Sequence, residues 1–168
     1  KTPLRDGVRL SSDIYRPEGE GAFPVILTRT PYDNARMEDV IDRAVFFAEH
    51  GYVHVLQDCR GRCDSEGEWY PYVHEAHDGH DTVEWIARQP WCDGNIGMWG
   101  PSYLGLTQWS AATEGSPHLK CILPEVIGPN MHDSPRYTGG AFQLYSSLAW
   151  RCMCAGRTMQ RTDHYNWS

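Results

Sequence analysis

The chain has 168 residues, with 22 acidic side chains against 15 basic ones and a formal net charge of −7. That length makes one domain large enough for a core, and the acidic balance argues against nucleic acid and anionic membrane surfaces as partners. No apolar run approaches the roughly 20 residues of a membrane span. No signal peptide is visible, so a cytoplasmic location is expected, with the natural amino terminus upstream of Lys1.

Val8 to Tyr15 alternates apolar with polar residues and stops at Pro17, as an outer strand would. Phe23 to Thr30 reads as a buried strand between Gly21 and Pro31. Met37, Val40, Ile41, Ala44, Val45, Phe47 and Ala48 follow helical spacing, and Gly51 ends that helix. Tyr52 to Gln57 is the next strand, and a helix follows from about Glu75 to Arg88, stopped by Pro90. Asn95 to Trp99 forms a strand, a helix runs from after Ser102 to about Thr113, and Leu119 to Pro124 closes the series. Strands separated by helices imply an α/β fold, a mostly parallel sheet with helices on both faces. Ala141 to Trp150 reads as a further helix.

Ser102 is the residue around which the chemistry is expected. It lies in Gly97-Met98-Trp99-Gly100-Pro101-Ser102-Tyr103-Leu104-Gly105, a strand that ends in a tight turn and leads into a helix. A serine held at such an apex presents its hydroxyl above the sheet edge, where a nucleophile must be. The general G-x-S-x-G pattern would put a glycine at 104, where Leu104 stands, with Gly105 one residue later. Turns of this composition also occur as plain loops. If Ser102 does act, the Tyr103 backbone N–H, next in the chain, is the natural first oxyanion donor.

This stretch resembles the nucleophile region of the cocaine esterase and X-prolyl dipeptidyl aminopeptidase superfamily of α/β-hydrolases, which writes its elbow G-x-S-Y-x-G. Arg5-Asp6-Gly7 through Asp13-Ile14-Tyr15-Arg16-Pro17 resembles its opening strands. Pro24-Val25-Ile26-Leu27 through Thr30-Pro31-Tyr32 resembles its first buried strand and oxyanion loop, and Asp58-Cys59-Arg60-Gly61 with Ser65-Glu66-Gly67 resembles a further family loop. The resemblance implies an α/β-hydrolase fold in which the Tyr32 hydroxyl is the second oxyanion donor; a ring that merely caps its strand is the other reading of Tyr32. It implies that Trp150 lines the acyl pocket, although a core role fits that tryptophan equally. It sets Arg136, or a near neighbour, where a second pocket aromatic stands, and an arginine there suits a substrate that carries a carboxylate. The branch with a carboxylate just before Gly140 is not matched, since Ser134 and Pro135 stand there, unless Asp133 substitutes.

In this fold the acid and then the histidine follow the nucleophile. After Ser102 the chain offers His118, His132, His164, Asp133 and Asp163, and none matches the family positions. The chain is therefore expected to be an amino-terminal piece of a longer hydrolase. Residues 1–130 would be the first part of the catalytic domain and residues 131–168 the start of a helical cap inserted after the sixth strand, with the rest of that domain and a carboxy-terminal β-sandwich beyond. The expected function is hydrolysis of a small ester or amide by an acyl-enzyme mechanism, of esterase or acylase type. X-prolyl dipeptidyl-peptidase activity and a non-catalytic binding domain are the alternatives.

No cofactor and no metal are expected. The six cysteines form no convincing disulfide framework, and Cys59 with Cys63 lacks a second ligand pair for zinc. His74, His77 and His80 could share a helix face, but they fall one residue short of H-E-x-x-H and read as surface variation. Asp58, Arg60 and Glu66 read as ion pairs that order their loop.

Overall fold

The computed structural model describes residues 1–128, 130 and 136–159. His132, Asp133, Ser134, Pro135, Asp163 and His164 lie outside the described residues, and so do the expectations that rest on them. Two short strands, β1 (Thr2–Pro3) and β2 (Arg9–Leu10), pair with each other. The main sheet is built from β3 (Ser12–Tyr15), β4 (Phe23–Thr30), β5 (Val53–Asp58), β6 (Cys92–Pro101) and β7 (Leu119–Glu125), in the order β3-β5-β4-β6-β7. Four of these strands run parallel, and β3 lies antiparallel on the edge beside β5. The single outer strand expected over Val8–Tyr15 is thus two strands in two sheets. Ser11 stands between them, and its carbonyl accepts the Asp58 N–H at 3.0 Å.

The alternation of β5 places the helices. Val53 and Val55 pack into a core with Val83 and Ile86 of α2 (Glu75–Ala87) and Ala111 of α3 (Tyr103–Thr113). Leu56 packs instead with Val40 of α1 (Glu38–Glu49), and the His54 ring lies 5.7 Å from that of Phe47 on the same helix. Successive strand residues point to opposite faces, so α1 covers one face of the sheet while α2 and α3 cover the other. Burial holds His54 well down, at about 4, so it stays neutral in this layer. Gly51, at φ +85, ends α1 with the left-handed turn that its lack of Cβ permits.

Beyond β7 the chain forms a two-stranded pair, β8 (Tyr137–Thr138) with β9 (Ala141–Phe142), and then α4 (Leu144–Met153). The helix begins three residues later than expected at Ala141, because Gly139 and Gly140, at φ +60 and +85, turn the preceding strand back on itself. All six cysteines are free thiols. No described helix is long and apolar enough to cross a membrane.

Candidate active site

β6 ends at Pro101 and α3 starts at Tyr103, which leaves Ser102 as the hinge, at φ 56 and ψ −123. Such a backbone is strained for any side chain and persists only where its surroundings hold it. Here the Ser102 N–H donates to the Glu125 carbonyl at the end of β7, at 2.8 Å. The flanking glycines are steric requirements. A Cβ at Gly100 would stand 2.6 Å from the Leu104 Cβ, and one at Gly105 would stand 2.4 Å from the Ile127 Cγ2. Leu104 is buried in the core. This explains why the second glycine falls at 105 and a leucine holds 104: the helix meets the Ile127 segment one residue later than the general pattern implies.

Tyr103 is the first residue of α3, so its N–H has no intrahelical acceptor. Its side chain is fixed by a network that the sequence did not reveal. The Tyr103 hydroxyl donates to Glu75 Oε1 at 2.8 Å and accepts the Tyr72 N–H at 3.0 Å. The other Glu75 oxygen lies 3.0 Å from Arg29 Nη1, both side chains being almost wholly buried. Arg29 also donates to Gln57 Oε1 at 2.9 Å and to the Glu75 carbonyl at 3.0 Å. Burial, with the Glu75 charge beside it, pushes the Tyr103 phenol far above its ordinary range, so it stays protonated.

Tyr32 follows β4 on a loop pinned at several points. Its N–H donates to Thr30 Oγ1 at 3.0 Å, the Asn34 N–H donates to Asp58 Oδ1 at 2.8 Å, and the Pro31 carbonyl accepts from Arg62 Nε at 2.7 Å. The buried Arg62 guanidinium stacks 4.4 Å above Trp69 and donates to the Cys154 carbonyl at 2.8 Å, which ties this loop to the end of α4. The Tyr32 hydroxyl accepts the Trp150 indole N–H at 3.0 Å and interacts with the Ser102 side chain. Burial raises its pKa, while the Trp150 and Ser102 side chains beside the oxygen pull it the other way.

Trp150 stacks on Tyr103 at 5.8 Å and on Tyr72 at 6.1 Å. The Arg136 guanidinium lies 5.3 Å from the Tyr72 ring centre and 5.5 Å from that of Trp150, and it hydrogen-bonds the Tyr72 hydroxyl. Ser102, Tyr32, Tyr103, Trp150 and Arg136 thus all line one cavity of about 210 Å³. No described carboxylate or histidine lines it. Tyr72, which completes the aromatic wall, was missed by sequence reasoning; its only signal was a loop dense in aromatics before α2.

The neighbouring charges correct one expectation. Arg60 pairs with Asp78 and Asp6, both at 2.7 Å, and Glu66 pairs with Arg9 at 2.7 Å, but Asp58 is in no ion pair among the described residues. It is a buried hydrogen-bond acceptor under the Tyr32 loop, and burial lifts its pKa to about 7. One ligand atom each from Asp58, Asp33 and Cys63 lies within 4.8 Å of the others, so Cys63 has carboxylates beside it, one from the end of β5 and one from the Tyr32 loop. Of the three histidines, His77 is exposed with Nδ1 3.3 Å from Glu114 Oε2, whereas His74 and His80 are half-buried.

Residues 6–166 match the profile of the X-Pro dipeptidyl-peptidase (S15) family. The chain is 43% identical over 166 residues to a cocaine esterase from Rhodococcus sp. (strain MB1 Bresler), covering 96% of this chain and 29% of that protein. Among solved structures, an aminopeptidase from the marine sediment archaeon Thaumarchaeota archaeon superposes with a TM-score of 0.79 at 27% identity, over 94% of this chain and 30% of the other. An α-amino acid ester hydrolase superposes with a TM-score of 0.78 at 32% identity, over the same shares. The chain therefore spans less than a third of the length of these relatives. The family match spans residues 6–166, which take in the elbow and α4, and the chain belongs to the X-Pro dipeptidyl-peptidase (S15) family of hydrolases with the α/β-hydrolase fold.

Proposed function

We propose that this chain supplies the nucleophile and the oxyanion hole of a serine hydrolase that cleaves an ester or amide bond through an acyl-enzyme. The strained Ser102 backbone carries this reading, since it aims a hydroxyl into a cavity beside two donors. Ser102 Oγ adds to the substrate carbonyl carbon and gives its proton to a base. The carbonyl oxygen becomes an oxyanion, accepting from the Tyr103 N–H and the Tyr32 O–H. Trp150 occupies a lone pair of the Tyr32 oxygen and leaves its hydrogen for the oxyanion. Collapse breaks the bond to the leaving group, which takes the proton from the base, and water releases the acid by the same steps.

The base and its acid partner come from outside the described residues. Residues 1–130 act as the first part of the catalytic domain, and residues 131–168 begin a cap that brings Arg136 and Trp150 over Ser102. An esterase or acylase is favoured over a dipeptidyl-peptidase by the cavity's charge. A free substrate amino group needs a carboxylate partner, and among the described residues the charged side chain that lines the cavity is Arg136. The test uses the natural full-length protein on a panel of p-nitrophenyl esters and an aminoacyl-prolyl p-nitroanilide. Ester turnover should dominate, and Ser102→Ala should remove it, by on the order of 10⁴–10⁶-fold. Full activity in Ser102→Ala would overturn the proposal.

A further inference from the structure

We infer that Arg136 and Ser147 form a carboxylate-binding subsite in the cavity beside Ser102, so that favoured substrates are monoesters or monoamides of a dicarboxylic acid; this rests on the serine-hydrolase reading above. Three observations meet here. The Arg136 guanidinium lies against the rings of Tyr72 and Trp150, with no carboxylate paired to it among the described residues. A guanidinium held by aromatic faces is weakly hydrated, and although its Nη2 donates to the Tyr72 hydroxyl, it has further N–H groups to offer a carboxylate. Ser147 also lines the cavity, is only 3% exposed, and has a hydroxyl with no hydrogen-bond partner among the described residues. A buried hydroxyl without a partner is costly, and a ligand oxygen would satisfy it. Ser147 precedes Trp150 by three residues on α4, so the two share a helix face. Arg136 is tied to the start of that helix by the Gln143 N–H, which donates to its carbonyl at 2.8 Å.

The anion belongs to the acyl side of the substrate. The leaving group must depart to solvent after the first step, whereas the acyl group stays bonded to Ser102 and needs a place among the rings. Neutral acyl chains fill the aromatic wall but leave Ser147 unpartnered and Arg136 without a counter-charge. A charge-assisted bond of this kind changes affinity by roughly 10–100-fold.

The experiment compares kcat/KM of the full-length protein for mono-p-nitrophenyl glutarate, for p-nitrophenyl butyrate, and for 4-(butanoyloxy)benzoate, whose charge sits on the leaving group. Spontaneous hydrolysis is subtracted throughout. The glutarate ester should be preferred over the butyrate by at least 10-fold. Arg136→Gln should bring that ratio near one, Arg136→Lys should keep part of it, and Ser147→Ala should lower it severalfold. A ratio, rather than a rate, separates lost recognition from a loosened cap. No preference, or a preference that survives Arg136→Gln, overturns the inference while leaving the hydrolase reading intact. A preference for 4-(butanoyloxy)benzoate overturns the acyl-side assignment. Failure of all three esters, together with no fluorophosphonate labelling, overturns both readings.

Discussion

Tyr32→Phe removes one oxygen and leaves the ring, whose edge meets Tyr103 at 6.5 Å. Two effects follow, and their sizes separate them. In the fold, the Trp150 indole N–H loses its acceptor at 3.0 Å. Trp150 is only half-buried, so water can replace that partner, and the loss of stability should be about 1 kcal/mol or less. In the transition state a donor aimed at the oxyanion disappears, which removes roughly 10²–10³ from kcat, about 2.7–4 kcal/mol. The larger effect should therefore appear in kcat with KM nearly unchanged, and the melting temperature should move little. Trp150→Phe is the companion, since it removes the N–H that orients Tyr32 but keeps the hydroxyl, and its kcat should fall by less. Steady-state hydrolysis of a p-nitrophenyl ester by the full-length protein, with a thermal melt of each variant, measures both effects. Unchanged kcat in Tyr32→Phe would refute the reasoning and assign the second donor to a backbone amide.

Gly105→Ala should lower kcat more than tenfold and cost about 1–3 kcal/mol, because its methyl would stand 2.4 Å from Ile127 and push α3, and with it the Tyr103 N–H, off the sheet; kinetics and a denaturant melt check both. Glu75→Gln should destabilise by about 3–5 kcal/mol in chemical denaturation, since it leaves the fully buried Arg29 with Asp78, 3.9 Å away, as its remaining carboxylate partner. The Asp58 carboxyl rises from 3.8 to about 7 through burial, so the folded state holds its proton more tightly than the unfolded chain does. Its contribution is most favourable below pH 4 and is lost as pH rises through about 7, by at most about 4 kcal/mol at 1.36 kcal/mol per pKa unit. Asp58→Asn keeps an oxygen for the Asn34 N–H, so its melting temperature relative to the natural protein should climb between pH 5 and pH 8, and a constant difference would contradict this.

The elbow was legible in the sequence because its constraints are local. The end of a strand, two close glycines and the start of a helix fall between Gly97 and Gly105, and the positive φ of Ser102 follows from them. The parallel strands and their helices were legible for the same reason, through periodicity and the stops at Gly51 and Pro90. What joins distant segments was not. The Tyr103–Glu75 and Arg29–Glu75 contacts span 28 and 46 residues, and nothing local marks Arg29, on an otherwise ordinary buried strand, as a charge inside the core. The Trp150–Tyr32 bond spans 118 residues, and the resemblance named both residues without joining them. Asp58 was misread as an ion-pair partner because a charged loop in sequence does not show which of its carboxylates faces a backbone amide.

The central claim is that Ser102 forms the covalent acyl-enzyme, and its most direct test is intact-mass and peptide mapping of the full-length protein after reaction with a fluorophosphonate. One adduct per chain, on the peptide that contains Ser102 and absent from a folded Ser102→Ala variant, is the predicted result. An adduct on another serine, still formed by Ser102→Ala, would contradict the account.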